Sequence, residues 1–137
     1  ELKYGQEKID EVKAMLKGGK TSLIVSFHNF QQTTPQDELF SIMEQEIKAG
    51  TDVAKLAAMP RSEEDVLAVL AATLAVRRKY PDTPIISMSM GPLGAVTRIV
   101  GGLFGSDLTF AVGSKASAPG QIPVDELRKC FEVVHQD

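Results

Sequence analysis

Tryptophan is absent from this 137-residue chain, cysteine occurs once and histidine twice. A single cysteine cannot form an internal disulfide, so the fold has to be held by its core. Cys130 lies between Leu127 and Phe131 in a helical pattern, where a small core residue is the plain reading and a nucleophile the exceptional one. Two widely separated histidines, His28 and His135, offer no metal-ligand spacing, and no metal is expected. His135 stands on a polar stretch and is assigned no role. No apolar run approaches the roughly 20 residues of a spanning helix, so no membrane partner is expected. Glu1-Leu2-Lys3-Tyr4 lacks the basic and apolar regions of a signal peptide, and there is no initiator methionine, which favours a processed or excised chain. Positive charge is sparse as well. The net charge is -3 with a pI near 5.4, and the basic runs, Arg77-Arg78-Lys79 and Arg128-Lys129, are short. That gives no electrostatic footprint for nucleic acid. Neither a Walker loop nor a G-x-G-x-x-G fingerprint occurs. These features together suggest a cytoplasmic protein in a reducing compartment.

What the chain does contain is alternation. Gln6 to Lys17 places Ile9, Val12 and Leu16 at helical spacing, and Gly18-Gly19 ends the pattern. Ser22 to Phe27 is a short apolar run that reads as a buried strand. Pro35 opens a helix with Leu39, Ile42, Met43 and Ile47 on one face, closed by Gly50. Val53 to Met59 is a second strand. Ser62 has the place of an N-cap, with Asp65 three positions on as a partial capping box, and the helix it opens runs to about Tyr80. Pro84 to Met90 reads as a third strand, Ala95 to Leu103 as a short helix, Leu108 to Val112 as a fourth strand, and Val124 to His135 as the last helix.

A helix followed by four strand-helix units implies parallel strands with right-handed crossovers in one domain, with no linker. Two α/β folds accommodate such units: an open doubly wound sheet, and half of a (β/α)8 barrel, which in full takes about 250 residues. Periodicity leaves both open. A start on a helix is awkward for a self-contained sheet and natural for a barrel divided in the middle.

In either fold, chemistry concentrates at the carboxyl ends of the strands. The first ends in Phe27-His28-Asn29-Phe30, the second carries Lys55, the third leads through Met88-Ser89-Met90-Gly91 to Arg98, and the fourth runs into Gly113 to Gln121. Lys55 sits between Ala54 and Leu56 in an apolar strand. Desolvation lowers a lysine pKa, and a neutral amine attacks ketones; the alternative is a lysine that snorkels out or pairs with an acid. His28 suits proton transfer near neutral pH, or else is a hydrogen-bonded core histidine. The fork of Arg98 suits a substrate carboxylate, or else forms a surface salt bridge. The small residues of 113–121 suit a mobile lid better than a phosphate cradle, and Met88 and Met90 suit packing. The joint arrangement fits Schiff-base chemistry on an anionic keto acid.

These segments resemble those of the type I 3-dehydroquinate dehydratases. Ser26-Phe27-His28-Asn29-Phe30 is similar to the segment around that family's acid-base histidine, and Asp52 to Pro60 to that around its Schiff-base lysine. Ser87 to Gly91 with Gly94, Thr97 and Arg98 resembles the segment ending in the carboxylate-binding arginine. Phe104-Gly105-Ser106 and Ala116 to Ile122 resemble the closing segment, whose serine and glutamine would be Ser117 and Gln121. The resemblance covers essentially the whole chain.

It implies a (β/α)8 barrel of which residues 1–137 are the C-terminal half, strands five to eight. It implies dehydration of 3-dehydroquinate to 3-dehydroshikimate, in the shikimate pathway or in quinate breakdown, without metal or organic cofactor. Lys55 would form the imine, His28 would move the protons, Arg98 would hold the carboxylate, and Ser117 and Gln121 would close over the substrate. Thr97 stands where many members have serine, and Gly91-Pro92-Leu93 is less polar than usual. The family's glutamate partner for the histidine comes from the other half, and no acid here takes that part. Open strand edges imply association, with the missing half or as a homodimer. The alternatives are a non-catalytic dehydroquinase-like ligand-binding module and an inactive half-barrel fragment.

Overall fold

The computed structural model describes residues 1–135. After a 3-10 turn at Leu2–Tyr4 come α1 (Gly5–Leu16), β1 (Ile24–Asn29), α2 (Gln36–Lys48), β2 (Val53–Ala58), α3 (Glu63–Lys79) and β3 (Ile85–Ser89). Two short helices follow, α4 (Gly91–Gly94) and α5 (Val96–Val100), then a 3-10 turn at Gly101–Phe104 and α6 (Val124–Val134). The strands form a parallel sheet in the order β1-β2-β3, with Ser26 opposite Lys55 and Lys55 opposite Ile86.

Alternation along the strands gives the sheet two different faces. Leu56, Ala58 and Ile85 join Leu39, Ile42 and Met43 of α2 and Val69, Ala72 and Val76 of α3 in the main core. On the other face Lys55 shares the surface with Ala57, Ile86, Met88 and Met90. This is the pattern of an α/β sheet of the (β/α)8 barrel class, with helices outside and the reactive face inside.

The capping of α3 is a local correction. Ser62 is at the N-cap but makes no side-chain cap bond, and Asp65 Oδ2 accepts the Arg61 N–H at 2.7 Å rather than that of Ser62. The acid therefore closes the turn before the helix.

A larger correction concerns the fourth strand. Among the described residues, Leu108 to Val112 forms no strand and enters one isolated bridge, Val112 with Pro123. The outward N–H groups of β3 are already occupied by side chains. Ile85 N–H donates to Asp107 Oδ2 at 2.7 Å, Ser87 N–H to Ser106 Oγ at 3.0 Å and Ser89 N–H to Thr97 Oγ1 at 3.0 Å. Donors satisfied this way have no need of a neighbouring strand. The segment stays alongside through Asp107 N–H, which donates to Ile85 O at 2.7 Å. Arg77 anchors it, donating to Gly105 O and pairing with Asp107.

Candidate active site

The carboxyl ends of the three strands and the 108–121 segment enclose a cavity of about 220 Å³. Lys55, His28, Arg98, Ser117 and Gln121 all line it, with Phe30, Met88, Met90 and Phe110 supplying apolar wall. A neighbouring hollow between α5 and α6 is lined by Thr97, Gly101, Ser106 and His135 and holds no lysine.

Lys55 projects from the middle of β2 on the face away from α2 and α3. Its Nζ lies 4.6 Å from the centre of the Phe110 ring. Burial pushes its pKa below the ordinary lysine value, Glu1 opposes the shift and Arg98 adds to it. No ion pair with an acid holds Lys55 among the described residues. The amine is thus half-buried beside an aromatic ring, and its burial favours the neutral form.

Arg98 is 2% exposed, which overturns the surface salt-bridge alternative. Turn α5 places it behind β3, where Nη1 donates to Phe110 O at 3.2 Å and Nη2 to Pro119 O at 3.2 Å. Nη1 also lies 3.3 Å from Met88 Sδ. Nε is buried and has no hydrogen-bond partner among the described residues. No carboxylate among them neutralises the guanidinium, so the wall of the cavity carries an uncompensated positive charge. Burial without an acid lowers the Arg98 pKa from its usual value, and the residue stays charged at neutral pH.

His28 ends β1, stacked on Phe30 at 5.9 Å between ring centres. Its Nδ1 lies 2.7 Å from Glu1 Oε1. Burial tends to raise the Glu1 pKa, but the bonds from His28 and Lys3 outweigh it and leave the carboxyl below its usual value. An ionised carboxylate only accepts, so Nδ1 carries the proton and Nε2 is left as the basic nitrogen. The structure thus sets one acid of this half, Glu1, against the histidine. Nothing in sequence spacing signals the pair, because Glu1 is 27 residues away.

Ser117 and Gln121 bond to each other. Gln121 Oε1 accepts the Ser117 N–H at 2.8 Å, and Nε2 donates to Ser117 Oγ at 3.1 Å. The loop also presses on the end of β3. Gly91 N–H donates to Pro119 O at 3.3 Å, and a Cβ at Gly120 would fall onto the Gly91 carbonyl. Gly120 has φ +73°, so glycine is required there on two counts.

Two other residues escape a reading of the sequence. Phe110, which looks like a strand residue, is the ring over Lys55. Glu46 of α2 is fully buried, and its Oε2 accepts the Lys55 main-chain N–H at 2.9 Å. His135 is fixed structurally, with Nε2 at 2.9 Å from Ile99 O. Cys130 is a free thiol, half-buried. No helix among the described residues is long and apolar enough to cross a membrane.

Comparison with known proteins gives one family. The family model for type I 3-dehydroquinase matches residues 1–137. A 3-dehydroquinate dehydratase of Geobacillus thermodenitrificans is 53% identical over 82% of the chain and 43% of its own length. The crystal structure of 3-dehydroquinate dehydratase from Geobacillus kaustophilus superposes with a TM-score of 0.94 at 46% identity, covering 98% of this chain and 51% of that one. A type I 3-dehydroquinate dehydratase from Clostridium difficile, crystallised with covalently modified comenic acid, superposes at 0.89 with 40% identity over 96% and 52%. The chain spans about half the length of the curated relatives it matches. On its sequence and its fold alike, the chain belongs to the type I 3-dehydroquinase family.

Proposed function

We propose that the protein is a 3-dehydroquinate dehydratase, a hydro-lyase acting through an imine on Lys55, and that residues 1–137 are the C-terminal half of one (β/α)8 barrel domain. The observation that carries the reading is Lys55 under Phe110 in a cavity whose far wall holds the unpaired guanidinium of Arg98. The substrate carboxylate pairs with the positive charge of Arg98, which turns the ring ketone toward Lys55. The neutral amine adds to the carbonyl, and loss of water gives the imine. Once protonated, that imine draws electrons from the adjacent C–H bond. His28 Nε2 takes the proton, while Glu1 steadies the imidazolium through Nδ1. The same proton is returned to the departing hydroxyl, which leaves as water as the double bond forms. Hydrolysis of the imine frees 3-dehydroshikimate and Lys55. Ser117 and Gln121 exchange their mutual bonds for bonds to the substrate.

The substrate belongs to the shikimate pathway of aromatic amino acid biosynthesis, and we place the protein in the cytoplasm. Association completes the barrel. The outer edge of β1 and the exposed Phe30 and Leu108 favour a covering partner, either the other half of a barrel or a second copy. The test is intact mass after mixing with 3-dehydroquinate and borohydride. An adduct mapped to Lys55, lost in Lys55→Ala, supports the reading. A folded, fully assembled protein that gives no adduct refutes imine catalysis and leaves the ligand-binding or inactive reading.

A further inference from the structure

Helix α2 turns a regular apolar stripe toward the sheet, and the stripe is broken at one place. Leu39, Ile42 and Met43 are buried at helical spacing, and the next position on the same face is Glu46, equally buried. A carboxyl group is poorly suited to that position. It sits in the last turn of the helix, where the dipole opposes negative charge. Burial pushes its pKa up to about 9, against the smaller effect of the bond from Lys55. One oxygen, Oε1, has no hydrogen-bond partner among the described residues. An apolar side chain would fill the space without these penalties, so the carboxyl calls for a reason beyond packing.

The other oxygen supplies the reason. Oε2 accepts the main-chain N–H of Lys55, the residue whose side chain leaves the opposite face of the sheet. We propose that Glu46 is a positioning residue for the imine-forming amine, its carboxyl fixing the Lys55 main chain from the helix side of the sheet and so fixing where the amine enters the cavity. The inference rests on Lys55 as the imine-forming residue. The protonated form suits the task. The charged side chains that act on Glu46 are those of Lys55 and Glu1. An ionised Glu46 would raise the Lys55 pKa, whereas a neutral carboxyl holds the main chain and leaves the amine free to lose its proton. Glutamine reproduces the neutral acceptor, and leucine or methionine reproduces only the volume.

The test uses the natural full-length protein with 3-dehydroquinate and borohydride, following hydride capture of the Lys55 imine as a secondary amine by mass. Glu46→Gln is expected to trap within about twofold of the unsubstituted protein, and Glu46→Leu about tenfold more slowly at saturating substrate, because small displacements of a reacting group carry large rate penalties. The substrate concentration for half-maximal trapping should not move, since Arg98 stands on a different element, α5. A general loosening of the fold would shift both quantities and would not be rescued by glutamine. If Glu46→Leu fails to fold, Glu46→Met gives the same comparison. Trapping by the apolar variant as fast as the unsubstituted protein, an equal fall in Glu46→Gln, or a moved half-saturation overturns the proposal. An unsubstituted protein that traps at Lys55 separates such a failure from failure of the imine reading. One that never traps overturns both.

Discussion

Glu46→Gln should stabilise the protein, and by an amount that grows with pH. Burial raises the Glu46 pKa from 4.5 to about 9 in the folded state. Between those values the folded chain binds a proton that the unfolded chain has released, so folding weakens as pH rises. Each pH unit within the window costs about 1.4 kcal/mol. Near the lower bound the slope is only partly developed, and from pH 5 to pH 7 the loss comes to about 2.5 kcal/mol. Glutamine does not titrate, accepts the same Lys55 N–H and occupies the same volume, so this loss should vanish in the variant. Urea midpoints of both proteins at pH 5, 6 and 7 give the difference, in which every other titrating group cancels. The gap should be small at pH 5 and widen by roughly 2–3 kcal/mol at pH 7. Parallel curves would refute the argument, since they would mean that Glu46 ionises in the folded protein as an ordinary glutamate does.

Arg98→Lys should raise the KM for the keto acid about tenfold or more, because a lysine ammonium is a compact point charge and lacks the planar fork with which Arg98 reaches both Phe110 O and Pro119 O; steady-state kinetics checks it. Leu39→Ala removes a side chain with no exposure from the core between α2 and the sheet, and urea unfolding should show a loss of about 3–4 kcal/mol. Arg77→Ala frees the carbonyls of Gly105, Pro81 and Thr83 together, so amide exchange should quicken across 101–107 while the α2–β2 core keeps its protection.

Three strands, their order along the chain and the helices between them were legible because each strand is a short apolar run bounded by glycine or proline. Lys55 and His28 were legible as candidates because a polar residue in an apolar strand contradicts the pattern around it, and Arg98 because it is a fork-shaped cation on the short helix after the third strand. The fourth strand failed for a reason that composition hides. Leu108 to Val112 has the residues of a strand, but Asp107, Ser106 and Thr97 reach the edge of β3 first. Side-chain capture of backbone donors depends on tertiary geometry and leaves no period in the sequence. The same holds for Glu1 against His28 and for Phe110 over Lys55. Glu46 is different, because its departure from the stripe of Leu39, Ile42 and Met43 is visible in the sequence. Ile47, one position along, continues the helical spacing just as well and masks that departure.

The electrostatics of the cavity also constrain the order of events. Two basic side chains, Lys55 and Arg98, share one small space, and the charge of Arg98 disfavours a charge on Lys55. Burial is the first cause of the lowered Lys55 pKa, and the positive charge of Arg98 adds to it. A substrate carboxylate bound at Arg98 cancels much of that second contribution, so binding by itself moves the amine back toward its protonated form. Attack on the ketone therefore depends on the part of the shift that the substrate does not remove, the desolvation supplied by Phe110, Met88, Met90 and Ala57. Phe110 is 40% exposed in this chain. Anything that covers the inner face of the sheet dries this wall further and favours the neutral amine, whereas an open face lets water restore its charge. Closure of the barrel and reactivity of Lys55 are then one physical quantity seen from two sides, and the pH at which the amine becomes trappable should fall as the face is covered.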